Sequence, residues 1–214
     1  MKIKNFILLS LLAYFTFLML RLTIPYLSFR TDVSFLRIKQ WMIHNQVWKT
    51  AFFTHVISSC FCLVAGFTQF SNIILKKYRV IHRYMGWLYI VSILGFSAPS
   101  GLIMGIYANG GITSQIAFVT LSILWIIATL IAFCSVIQKN YSVHQKFMVR
   151  SYALTLSAIT LRIWKLLIVL IFRPHPMDAY TIVAWLGWLP NLLYLSEMKM
   201  SFFNKVEICT NKRG

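Results

Sequence analysis

Six apolar runs constrain this chain more than any other feature. About 20 mostly apolar residues cross a hydrocarbon core of about 30 Å, and each run reaches roughly that length. The runs cover about residues 5–27, 50–75, 84–108, 115–137, 147–172 and 180–198. Peptide groups in hydrocarbon must satisfy their own hydrogen bonds, which such runs do as helices. The sequence therefore predicts an all-α, polytopic transmembrane helix bundle of about six spans. It predicts a single integral membrane domain over residues 1–214, with spans two to five as a four-helix core.

Composition supports this. The chain is 59% hydrophobic and 12% charged, whereas a soluble domain carries roughly twice that charged fraction. A net charge of +17 raises nucleic acid as a partner, but the placement of the charge argues against it. Lys2, Lys4, Lys76, Lys77, Arg79, Arg83, Lys139, Lys146, Arg150, Lys199, Lys205, Lys212 and Arg213 sit at alternate ends of the runs. That is the positive-inside pattern of a membrane protein. The opposite ends carry Arg30, Arg37, Lys39, Lys49 and Arg173. The imbalance places both termini in the cytoplasm. The expected partner is the lipid bilayer, and no basic recognition element is left for nucleic acid.

The first run begins like a signal peptide, with basic residues before the apolar stretch. It has no small-x-small cleavage site, and Arg21 is followed by more apolar chain. We read it as a retained first helix. Cys60, Cys62 and Cys134 fall within spans and Cys209 in the C-terminal segment, so they read as small apolar residues rather than a disulfide or zinc framework. Between spans one and two, Ser28 to Lys49 mixes Trp41, Met42, Ile43, Val47 and Trp48 with polar residues. It reads as an amphipathic helix in the outer interface. Asn109-Gly110-Gly111 marks a turn. Pro99 and Pro190 lie inside spans and are expected to kink them, with Ser97 and Ser100 placed to satisfy freed carbonyls.

Placing residues at 100° intervals gives each middle span one polar stripe. Span two aligns His55, Ser59, Cys62, Gly66 and Gln69; span three His82, Gly86, Ser97 and Ser100; span four Gln115, Ser122 and Thr129. Span five aligns His144, Ser151, Thr155, Ala158, Arg162 and Lys165. Small polar stripes serve helix packing. Intramembrane cations are costly and normally face an interior or a cavity, so Arg162 asks for more, while Lys165 can snorkel to the interface. Arg162 lies about 27 Å beyond His144 at 1.5 Å per residue. Two polar levels follow. The inner one holds His82, Arg83, His144, Lys146 and Arg150. The outer one holds His55, Arg162 and Lys165, with His44 and His175 in solvated segments.

Histidines at one depth on two helices are the donor set of a b-type haem, and Arg83 and Arg150 at the same level suit its propionates. His82 and His144 are thus the candidate cofactor and metal ligands, with haem b as the cofactor. The competing expectation makes them interfacial anchors. His55, Gln69 and Arg162 are the candidate substrate contacts, for a quinone-like or anionic small molecule. The rival to a redox protein is a non-enzymatic transporter or assembly factor using that His/Arg site. The only carboxylates are Asp32, Asp178, Glu197 and Glu207, so a cation-coupled mechanism, which uses intramembrane Asp or Glu, rests on Glu197 alone. No P-loop, HExxH, dinucleotide fingerprint or hydrolase elbow occurs, and the sequence assigns no catalytic residue.

Several motifs resemble a bacterial family of predicted membrane proteins known as domain of unknown function 2306. They are His55, Gly66 with Gln69, the run His82-Arg83-Tyr84-Met85-Gly86-Trp87-Leu88-Tyr89, and Trp125. The run His144 to Ala153, Thr160-Leu161-Arg162, Trp188 to Leu192 and Glu197 complete the set. Gln145 departs from the arginine often found there. The resemblance implies a multi-pass protein of the bacterial cytoplasmic membrane and no assigned activity. A looser similarity is to the four-helix cytochromes of the b-561 kind, through His-x-x-x-Gly at a helix start. Span four lacks a histidine, so the two bis-histidine haems of that family cannot be assembled in its usual way.

Overall fold

A computed structural model describes residues 3–69, 74 and 77–194. Among the described residues the chain is helical throughout, with no strand. Four helical segments are long and apolar enough to cross a membrane, and five are when one bent pair counts as a single span. The sixth expected span is helical over Pro176–Leu186; its last residues, Glu197 included, lie outside the described residues. The chain divides into two compact units, Met1–Tyr107 and Ala108–Gly214.

In the first unit, α1 (Ile3–Thr23) runs into a 3-10 turn over Ile24–Ser28. A second 3-10 helix, Ser34–Met42, follows. The amphipathic helix expected within Ser28 to Lys49 is thus of the 3-10 type. Non-helical dihedrals at Lys39 interrupt it, and it buries Leu36, Lys39 and Met42. Tyr26, Trp48, Phe52 and Phe53 complete that core. Rings lock it together: Phe52 lies 5.3 Å from Tyr26 and 5.5 Å from Trp48. Such pairs add about 0.5–1.5 kcal/mol beyond the area they bury.

The next helix, α2 (Gln46–Gln69), packs against α1 and against everything in the third span. That span is not one α-helix. It consists of α3 (Arg79–Val91), a π-helical segment (Ser92–Ser97) and α4 (Ala98–Ile106), with Pro99 in the first turn of α4. The Ala98 N–H reaches back five residues to the Ile93 carbonyl. Pro99 has no N–H to continue the ladder, and the widened turn precedes it. In an α-helix, residues five apart point about 140° away from each other. The wider π turn lets Ser92 and Ser97 both be buried.

The second unit begins at Gly110, whose φ of +82° only glycine adopts freely. A Cβ there would lie 2.5 Å from Ser114 Oγ and 2.9 Å from Thr181 Oγ1. The expected turn is therefore enforced by packing as well as by backbone angle. It leads into α5 (Gly111–Ile137), then α6 (Tyr141–Thr155), α7 (Ser157–Phe172) and α8 (Pro176–Leu186). Asn140 caps α6 by accepting from Val143 N. The fifth span is bent by 40° between α6 and α7. Helices α5 and α6 pack closely, and α8 packs on both α5 and α7.

Candidate functional site

In the first unit the polar stripe of α2 meets the π segment. His55 Nδ1 lies 2.7 Å from the Ser97 carbonyl oxygen. Because a carbonyl only accepts, Nδ1 carries the proton and Nε2 the lone pair. Ser97 Oγ donates to Ser58 Oγ at 2.6 Å and contacts Cys62 Sγ at 3.3 Å. Ser58 donates on to the Thr54 carbonyl at 2.6 Å. Ser100 Oγ donates to the Phe96 carbonyl at 2.5 Å. Ser58, Ser97, Ser100 and Cys62 are all buried. Buried hydroxyls must be paired or cost about 1–3 kcal/mol each, and here they pair with one another. Among the described residues Ser59 Oγ, on the same stripe, is buried with no hydrogen-bond partner.

At the other end of that helix pair, Gln69 Nε2 donates to the His82 carbonyl at 3.3 Å. Its Oε1 lies 3.4 Å from where a Gly86 Cβ would be. Gln69 therefore seats the first turn of α3, on which His82 is half-buried. Arg83 beside it is exposed.

In the second unit His144 repeats the device seen at His55. Its Nδ1 lies 2.8 Å from the Ala132 carbonyl on α5. That makes Nε2 the basic nitrogen and fixes the plane of the ring. Below it, Thr129 Oγ1 and Ser151 Oγ share a bond of 2.8 Å, and Trp125 Nε1 donates to Thr155 Oγ1 at 3.1 Å. Polar residues of α5 and α6 thus meet along one buried seam. Arg150, near the seam, stacks its guanidinium 4.7 Å over the Phe147 ring.

The bend after Thr155 interrupts the stripe of span five. His144 is half-buried and Ser151 and Thr155 are buried, but Arg162 and Lys165 are exposed within their unit. Arg162 Nη1 donates to its own helix, at the Ala158 carbonyl, 2.7 Å away. A polar stripe at 100° intervals needs one straight helix, and the 40° bend breaks its phase. Between α7 and α8 the buried polar residue is instead Asn191. Its Nδ2 lies 2.9 Å from Thr160 Oγ1 and 3.3 Å from the Ala153 and Gly187 carbonyls. Asn191 follows Pro190 and lies in the Trp188 to Leu192 motif of the family resemblance, but its sequence gives no sign of these partners.

The structure also brings forward Lys39. This amine is 2% exposed and donates to the Tyr107 carbonyl. It lies 4.5 Å from the centroid of Trp41 and 5.9 Å from that of Trp48. Burial pushes its pKa down from 10.5 to about 8. The sequence showed the two tryptophans, but their cage around a lysine depends on the 3-10 fold.

No group of three or more His, Cys, Asp or Glu able to hold a metal ion occurs among the described residues. The donors are single imidazoles: His55 in the first unit and His144 in the second, each with one nitrogen fixed, and His82, half-buried in the first unit. This donor type suits a haem, which takes one imidazole per axial position.

No curated protein and no solved structure matches the chain. A family model described as predicted membrane protein, domain of unknown function 2306, matches residues 52–198. That stretch is well over half of the chain and holds His55, His82 and His144, so this protein belongs to that family of predicted membrane proteins.

Proposed function

We propose that this protein is a transmembrane redox carrier of the b-type cytochrome kind, resident in a bacterial inner membrane with both termini cytoplasmic. The observation that carries the reading is the His144–Ala132 hydrogen bond. An Nδ1–H held on a main-chain carbonyl presents Nε2 as a ligand of fixed direction and raised basicity. His144 with Arg150 in the second unit, and His82 with Arg83 in the first, would each offer haem b an imidazole ligand and a cation for a propionate. Bound haem supplies reversible one-electron transfer. Gln69 positions the first turn that bears His82, and the paired Thr129 and Ser151 hydroxyls hold α5 and α6 in register beneath His144.

An absorption spectrum of the purified protein, expressed with haem supplied, tests this. The expected result is a Soret band lost in His144→Ala and in His82→Ala and retained in His175→Ala. A colourless but folded wild-type protein would overturn the reading.

A second reading is a non-enzymatic transporter or assembly factor for a quinone-like or anionic molecule, with His55 and Gln69 as contacts in the first unit and Arg162 as a contact in the second. The His55–Ser97 junction favours it, because π-helical turns inside membrane helices recur at functional sites. Under this reading His55→Ala and Arg162→Ala abolish binding in a protein that stays folded and never carries a Soret band.

A further inference from the structure

A groove of about 680 Å³ runs along α2 in the first unit and is not lined by any of the predicted site residues. Its floor is a helical stripe of α2, from Gln46 and Lys49 through Phe53 and Ile57 to Phe61. These positions recur every three or four residues, so they share one side of the helix. Leu88, Val91 and Phe96 form the opposite wall. The groove is therefore mainly apolar, with Thr54, Ser58 and Ser92 also lining it, and polar and cationic at the Lys49 end.

The polar end is cationic, and among the described residues of the first unit no free carboxylate is left to neutralise it. Residues 1–107 contain one carboxylate, Asp32. Arg30 already holds it at 2.6 Å. Among the described residues Lys49 has no ion-pair or side-chain hydrogen-bond partner. The length is also informative. Lys49 and Phe61 are separated by twelve helical residues, about 18 Å. One leaflet of the hydrocarbon core is about 15 Å deep. Lys49 lies within the first turn of α2, eight residues after Trp41, which is 65% exposed. Exposed tryptophan marks the headgroup level of a bilayer.

We propose that this groove is a binding site for an anionic phospholipid. The phosphate sits against the Lys49 ammonium with Gln46 and Thr50 beside it, and one acyl chain lies along Phe53, Ile57 and Phe61. Volumes of a few hundred to about 1,000 Å³ are those of sites for single small molecules. The proposal does not depend on haem or on His144.

Native mass spectrometry of the full chain in detergent tests it, with phosphatidylglycerol and phosphatidylcholine of identical acyl chains as probes. The wild type should retain one phosphatidylglycerol in preference to phosphatidylcholine. Lys49→Gln should weaken phosphatidylglycerol binding about tenfold or more, the scale of one charge-assisted hydrogen bond, and leave phosphatidylcholine unchanged. Ile57→Trp, which keeps the charge and fills the groove, should lose the bound lipid as well. Soluble glycerol phosphate should not compete. Equal retention of the two lipids by the wild type would overturn the proposal. So would phosphatidylglycerol binding that survives both substitutions.

Discussion

Two histidines in separate units use the same local device. His55 and His144 each donate Nδ1–H to a main-chain carbonyl of a neighbouring helix. In water that hydrogen bond gains little, but in an apolar surround an unpaired N–H is expensive. The bond therefore selects the tautomer and holds the ring plane, and the side chain is committed before any ligand arrives. Lys39 shows a different compromise. Its ammonium is buried against two indoles and one carbonyl, which only partly replace water, so the folded pKa falls to about 8 from 10.5. The unfolded chain then binds more protons than the folded one between those values. Stability rises with pH across that window as the burial penalty is relieved. The melting temperature of the purified protein should increase between pH 8 and pH 10.5. Lys39→Met, which keeps the stem and removes the charge, should lack that increase. A pH-independent melting curve in the wild type would show that the indoles and the Tyr107 carbonyl compensate the charge fully.

Elements show where periodicity is informative and where it misleads. The α2 stripe holds, because α2 is an unbroken helix: Cys62 and Gly66 are buried, and His55, Ser59 and Gln69 are half-buried. The α5 stripe also holds, with Ser122 and Thr129 buried. The fifth-span stripe fails after Thr155, where the helix bends by 40°. No proline or glycine marks that bend in sequence. In the third span Pro99 is a visible signal, but it indicates a kink and not the π turn upstream that also buries Ser92. Removing the Ser97 hydroxyl tests that junction. Ser97→Ala leaves Ser58 and Cys62 without a shared partner and should cost about 1–3 kcal/mol, read as a lowered melting temperature. The α7–α8 contact has its own test at Gly187. A Cβ there would lie 3.0 Å from Leu161 Cβ and 3.3 Å from Leu161 Cα. Leu161 Cα is backbone and cannot swing away, so Gly187→Ala should destabilise by about 1–3 kcal/mol. If this variant melts like the wild type, the two helices do not pack as closely as these distances require.

At the scale of the whole molecule, α5 offers the cleanest probe of membrane placement. Its 27 residues extend about 40 Å at 1.5 Å per residue, so its two ends lie on opposite sides of a bilayer. The orientation proposed above puts the Lys139 end in the cytoplasm. In a cysteine-free background, Asn109→Cys should react with an impermeant maleimide from outside the cell, and Lys139→Cys only after lysis. The reverse pattern would invert the orientation proposed above. The sequence by itself determined that this is an all-helical membrane protein, because the hydrocarbon thickness sets a run length that few soluble chains contain. It also determined the turn at Gly110 and the inward stripes of α2 and α5, because each depends on residues within one turn or one straight helix. Only the tertiary structure decided which carbonyl each imidazole meets, that Arg162 leaves the buried seam, and that Lys39 lies between two indoles. Those outcomes depend on a bend, a π turn and a 3-10 segment, small local departures whose effect on side-chain direction accumulates over the rest of the helix.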